Sequence, residues 1–145
     1  GDVYLVGNRR LLESNGIRLS DEELERADAL QITGKTVVYF ADSGRIIAMI
    51  AIADRIKENS VQAIARLQNA GIDVYMLTGD NVITARAVAD AVGVKYFKAE
   101  VMPSDKADFV KELQQTGKVV AMVGDGINDS QALTQSDVSI EKVPI

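Results

Sequence analysis

The stretch MVGDGINDS, Met122–Ser130, decides how this chain is read. An apolar lead that reads as a strand stops at Gly124, and Asp125, Asn128 and Asp129 follow at once. In open parallel sheets, ligands bind beyond the carboxyl ends of the strands. Glycine at such an end lets the backbone turn sharply and lets a ligand approach closely. Asp-Gly also suits a hairpin turn, but the helix-like continuation disfavours that reading. Gly124-Asp125-Gly126-Ile127-Asn128-Asp129 partly mimics G-x-G-x-x-G. Its acidic residues would repel a pyrophosphate, so a dinucleotide site is rejected. The spacing of an EF-hand loop is absent as well.

Working outward, KVVAMVG (Lys118–Gly124) is expected to be one buried strand and IDVYML (Ile72–Leu77) another. The second ends in Thr78-Gly79-Asp80, so the two polar clusters are expected at one edge of a sheet. Helical patterns alternate with these strands. One has an apolar face of Val61, Ile64, Ala65 and Leu67 and ends at Gly71. The next, capped by Asn81, carries Ile83, Ala87, Val88 and Ala91 and stops at Gly93. A third, SDKADFVKELQQTG, has Ser104 as N-cap, and a short one starts near Asn128 before DVSI. This βαβα order predicts a parallel sheet covered by helices.

Residues 1–53 have a different rhythm. VYLVG (Val3–Gly7) reads as a strand, Asn8–Ser14 and Asp21–Leu30 as helices, the second with Ser20 and Glu23 set for a capping box. KTVVYFA and RIIAMIAIA flank Asp42-Ser43-Gly44 and predict a hairpin. The rhythm changes near Ala53–Asp54, the candidate domain boundary.

Composition narrows the chemistry. The chain has 145 residues, 47% of them apolar, enough for a real core. A net charge of −5 argues against a nucleic-acid surface. Cysteine and histidine are both absent, so disulfides and thiolate metal sites are excluded. Metal chemistry must run on oxygen ligands, which suit Mg²⁺ better than Zn²⁺. The longest apolar run, Ile46–Ala53, is far short of the ~20 residues a bilayer-spanning helix needs. Asp125 and Asp129 are placed to face one cation. Thr78 supplies a hydroxyl, Asn128 an amide and Lys106 a point charge, a set that suits a phosphoryl group.

MLTGDN, AEVMPSDK and VAMVGDGINDS together resemble the phosphorylation domain of a P-type ATPase, within the haloacid dehalogenase-like superfamily. Their spacing is most similar to the heavy-metal branch, the copper transporters above all. VYLVGNRRLL resembles the end of that family's nucleotide-binding domain, where a Gly-Asn pair, here Gly7 and Asn8, contacts ATP. The resemblance implies a Rossmann-like α/β domain over residues 54–145, preceded over 1–53 by the carboxy-terminal part of an antiparallel α+β nucleotide-binding domain. It implies that Thr78 and Lys106 hold phosphoryl oxygens, with Gly79 and Asp80 shaping the same loop. Asp125 would ligate Mg²⁺, and Asn128 and Asp129 would complete the cation and phosphate site. ATP and Mg²⁺ are the cofactors implied. A heavy-metal cation and the rest of a pump, membrane helices included, are the partners, with the chain on the cytoplasmic side.

None of the thirteen aspartates lies in the D-K-T-G segment that carries the family's phosphate acceptor. The family's Ser-Glu-His-Pro segment and its Gly-x-Gly adenine loop are absent too, and after SDVSI the chain reads EKVPI rather than a glycine-rich stretch. The expectation is therefore a soluble piece of a pump that holds the Mg²⁺ and phosphate half of the site and is inactive by itself. The family's acceptor strand lies between the strands ending in Thr78 and Asp125. Without it, the gap is expected to close by changed pairing or by strand exchange in a homo-oligomer. The alternatives are a soluble phosphatase of the same superfamily and a non-catalytic Mg²⁺- or nucleotide-binding module.

Overall fold

Alternation in TVVYFAD builds the first layer. In the computed structural model, which describes residues 3–42 and 44–142, these residues form the central strand of an antiparallel sheet. The order is β1 (Tyr4–Gly7), β2 (Thr36–Asp42), β3 (Arg45–Ile52). Val37, Tyr39 and Ala41 point inward and are buried with Leu12, Ile17 and Ala27. Those last three belong to the covering segment, α1 (Arg9–Ser14), the turn after it, and α2 (Asp21–Gln31). Tyr4, Val6, Ile50 and Ile52 leave much of their surface exposed. The β2–β3 hairpin pairs as expected, with a register shift between Phe40 and Ala41. Its turn includes Ser43, which lies outside the described residues, as do Val143, Pro144 and Ile145 of the EKVPI ending. The capping box of α2 is complete: the Glu23 N–H donates to Ser20 Oγ at 3.3 Å and the Ser20 N–H to Glu23 Oε2 at 2.8 Å.

After β3 the chain alternates: α3 (Glu58–Asn69), β4 (Tyr75–Leu77), α4 (Val82–Val92), β5 (Tyr96–Lys98), α5 (Pro103–Gln115), β6 (Ala121–Gly124), α6 (Ser130–Gln135) and β7 (Val138–Glu141), of which β5 was not among the expected strands. β4 pairs with β5 and β6 with β7, both parallel. The α/β architecture is thus present, with its parallel part as two two-stranded ladders. Among the described residues no changed pairing joins β4 to β6.

Several details differ from expectation. α5 starts at Pro103, with Met102 rather than Ser104 as N-cap. Proline's fixed φ suits the first helical position, and Asp105 Oδ2 accepts the Met102 N–H at 3.0 Å. α6 starts at Ser130, two residues late. On α4 the buried residues are Thr84, Ala85, Ala89 and Val92, not Ile83, Ala87, Val88 and Ala91. An alanine-rich helix that packs on α2, α3 and β5 shows no single apolar stripe to read. The two strands expected to be buried are only partly so, and Val123 is 64% exposed. A ladder of two strands presents more face than its helices cover.

The chain divides into two compact units, residues up to 99 and residues from 100 on. The first holds the antiparallel core and a second cluster of Ala89, Val92 and Val94 beside Ile64, Val74, Met76 and Phe97. In the second, Val101, Val110, Ala132 and Leu133 are the buried apolar residues. Among the described residues no helix is long and apolar enough to cross a membrane.

Two stability predictions follow from these contacts. Ser20→Ala removes the cap of α2 and lowers unfolding free energy by about 1 kcal/mol in urea titration. The second concerns pH. Asp137 Oδ2 accepts the Val120 N–H at 2.8 Å and the Gln114 amide at 3.1 Å. These bonds, Val120's first, hold its carboxyl below the ordinary value of 3.8. The folded form therefore binds the proton less tightly than the unfolded one. The stabilisation is complete above the ordinary value and disappears as pH falls through the lowered one. Asp137→Asn should be less stable than wild type at pH 6, with the gap in urea midpoint narrowing as pH falls through that acid range.

Candidate functional site

The first unit places Thr78 and Asp80 together at the end of β4. The Thr78 N–H donates to the Lys98 carbonyl at 3.0 Å and so extends the β4–β5 ladder by one bond. Beyond that point the chain turns through exposed Gly79. The Thr78 hydroxyl donates to Asp80 Oδ2 at 2.9 Å, and the Asp80 N–H donates back to Thr78 Oγ1 at 3.1 Å. The other carboxylate oxygen, Oδ1, accepts the hydroxyl of Thr36 at 2.8 Å. Asn81 then caps α4, its Oδ1 taking the Thr84 N–H at 3.0 Å. The Thr78 proton is therefore spent on Asp80, and this hydroxyl must turn before it can donate to a phosphoryl oxygen.

The second unit gathers Lys106, Asp125 and Asp129. Lys106, the fourth residue of α5, places Nζ 2.6 Å from Asp129 Oδ1. The two side chains are only 15% and 12% exposed. Asp129 Oδ2 lies 3.4 Å from the Asp125 N–H, and the Asp129 carbonyl accepts the Leu133 N–H of α6 at 2.8 Å. Residue 124 has to be glycine: a Cβ there would sit 2.6 Å from both Cβ and Oδ2 of Asp129. At Gly126 φ is +89°, the left-handed region, and the Glu141 side chain lies against the spot a Cβ would fill. Asp125 and Asn128 are exposed.

The carboxylates here are hard oxygen donors of the kind Mg²⁺ takes. That ion takes one or two protein carboxylates and fills its octahedron with water and phosphate oxygens. Asp125 and Asp129 flank one strand-to-helix turn, and Asp125 is open to solvent. Among the described residues no group of three or more acidic side chains could hold a metal unaided. Asp125 thus suits a cation shared with a phosphate rather than an all-protein cage, while Asp129 beside it is engaged by Lys106 and faces the Asp125 N–H.

The remaining pair expected to bind a ligand has local work. Asn8 caps α1, its Oδ1 accepting the Leu11 N–H at 3.0 Å. Gly7 ends β1, where a Cβ would meet Leu11 Cδ2 at 2.5 Å. Two residues escaped the sequence reading altogether. Thr36 reaches Asp80 across 44 positions, and Glu141 shields Gly126. No local pattern announces either.

A family model described as a haloacid dehalogenase-like hydrolase matches residues 1–137. The probable copper-importing P-type ATPase A of Enterococcus hirae is 46% identical over 142 residues, 97% of this chain and 19% of that protein. Copper-transporting ATPase 2 of Homo sapiens is 46% identical over 136 residues, 94% of this chain and 9% of that protein. The crystal structure of a zinc-transporting PIB-type ATPase in the E2.Pi state matches with a TM-score of 0.65 and 32% identity, over 97% of this chain and 22% of that one. This chain therefore spans less than a quarter of each.

Lys106→Met should cost about 3 kcal/mol, because it strands a largely desolvated carboxylate. Lys106→Met combined with Asp129→Leu should recover part of that loss, since no buried charge is left unpaired. Urea unfolding of the two variants beside wild type checks both.

Proposed function

The chain belongs to the haloacid dehalogenase-like hydrolase family, and we propose that it is part of the ATP-driven engine of a heavy-metal pump of the copper-transporting type. Residues 1–53 are the carboxy-terminal part of its nucleotide-binding domain. Residues 54–145 are its phosphorylation domain without the strand that bears the acceptor. The single observation that carries this reading is the shielded Lys106–Asp129 pair behind the exposed Asp125, at a strand end where only glycine fits. The similarity to copper-transporting ATPases over nearly the whole chain supports it.

In this reading ATP is the substrate and the terminal phosphoryl group moves to an aspartate outside these 145 residues. ADP leaves, and water then cleaves the acyl phosphate. Covalent capture divides one hard step into two easier ones. Lys106 offers a fixed positive charge, already oriented by Asp129, toward phosphoryl oxygens. Asn128 donates a hydrogen bond to the same group. In the first unit the Thr78 hydroxyl, once turned, is a donor for a phosphoryl oxygen, and Gly79 leaves the backbone beside it open. Asp125, assisted by Asp129, would hold Mg²⁺, which when bound neutralises phosphate charge. Gly7 and Asn8 contact the nucleotide, and Asp80 orients the Thr78 loop. The transported cation is cargo, bound by other parts of the pump, and the chain lies on the cytoplasmic side of the membrane. The isolated chain does not turn over ATP. A strand-exchanged homo-oligomer of the isolated chain belongs to the same proposal, supported by the two-strand width of each parallel ladder.

The test uses the whole protein and this chain side by side. The whole protein should form a hydroxylamine-labile phosphoenzyme from ATP and show metal-stimulated hydrolysis. Asp125→Asn should reduce that hydrolysis about a hundredfold or more. The isolated chain with Mg²⁺ and ATP should form no acyl phosphate. A whole protein without phosphoenzyme, or an isolated chain that makes one, overturns the reading.

A further inference from the structure

We propose that Thr36 is a positioning residue for Asp80, and that the turn Gly34-Lys35-Thr36 latches the antiparallel sheet onto the Thr78-Gly79-Asp80 loop. Two hydrogen bonds join that turn to the segment Asp80–Thr84, and Gly34 lies close to Val88. Thr36 Oγ1 donates to Asp80 Oδ1 at 2.8 Å, in a part-buried setting. The buried Thr84 hydroxyl donates to the Lys35 carbonyl at 3.0 Å. A Cβ on Gly34, whose φ is +76°, would meet Val88 Cγ2 at 3.7 Å. These bonds tie the first turns of α4 to the start of β2.

The consequence falls on Asp80. Its two oxygens are divided between two hydroxyls, Oδ1 to Thr36 and Oδ2 to Thr78. A carboxylate held at both oxygens cannot swing about its Cβ–Cγ bond without losing a charge-assisted bond, which is roughly twice as strong as a neutral one. Thr36 thereby fixes the rotamer of Asp80, and Asp80 in turn fixes the Thr78 hydroxyl. If Thr36 lets go, the carboxylate is free to rotate, and the Thr78 hydroxyl is free to reach a ligand. The latch thus sets when that hydroxyl is available. This part of the inference rests on the function proposed above; the latch itself rests on the hydrogen bonds alone.

The experiment has two arms. In the 145-residue chain, ¹H–¹⁵N spectra of wild type, Thr36→Val and Thr36→Ser are compared at Thr78–Asn81. Thr36→Val, nearly isosteric but without a hydroxyl, should move these amides and lower the thermal midpoint. Thr36→Ser should restore both. With Asp80→Ala already present, Thr36→Val should have no further effect. Unmoved Thr78–Asn81 amides, failure of serine to rescue, or an undiminished effect in the Asp80→Ala background overturns the latch. In the whole protein, Thr36→Val should change ATP turnover about fivefold, the size expected of one hydrogen bond, with KM for ATP unchanged and serine again restoring the wild-type value. A change confined to KM overturns the positioning role. A wild-type protein that hydrolyses no ATP overturns the proposed function instead, and the first arm still decides the latch.

Discussion

Asp129 organises the second unit. One oxygen takes the Lys106 ammonium, the other faces the Asp125 N–H, and its carbonyl starts the hydrogen bonding of α6. Each partner comes from a different element, so one residue, through its side chain and its carbonyl, fixes α5 against the end of β6 and the first turn of α6. The arrangement needs the empty space at Gly124, since any side chain there would occupy the carboxylate's place. Charges this well shielded survive because they meet each other directly; a lone carboxylate in that position would be costly. The geometry that stabilises the unit also leaves Asp125, the neighbouring carboxylate, turned to solvent.

The first unit uses the same economy with hydroxyls. Asp80 is satisfied by Thr36 and Thr78, and Asn81 immediately afterwards caps α4. Structural roles and the proposed chemical ones are thus interleaved residue by residue along Thr78–Asn81. The same holds at Gly7 and Asn8, where a strand end and a helix cap coincide with a pair that resembles a nucleotide contact.

Much of this was legible in the sequence, for reasons that differ by element. Ser20 and Glu23 announced their capping box because both partners lie within one turn. The hairpin of β2 and β3 followed from two β-rich runs around a turn signal. Asp125, Asn128 and Asp129 stood out because polar residues seldom crowd the end of an apolar strand without a use. The packing face of α4 was not legible, since alanine is apolar on every side. Nor was the Thr36–Asp80 bond, because nothing local marks two residues so distant in sequence as partners. The exposure of β4 and β6 was missed for a related reason. An apolar run records that a strand can be buried, not how much chain is at hand to bury it.

The two-stranded width of the parallel ladders has a consequence for cooperativity. Each strand of such a ladder has one hydrogen-bonded neighbour, so a fluctuation that opens β7 exposes β6 in the same event. β7 is exposed along its whole length, and its fraying meets little resistance from packing. Units of this size bury only a modest share of their surface, so local opening and complete unfolding lie close in free energy there. The antiparallel sheet, with Tyr39 and Leu12 sealed beneath it, lacks that weakness. Heat or denaturant therefore meets two bodies of unequal resilience in one chain. A lone melting temperature would average over both, and amide exchange read strand by strand is the natural language for its stability.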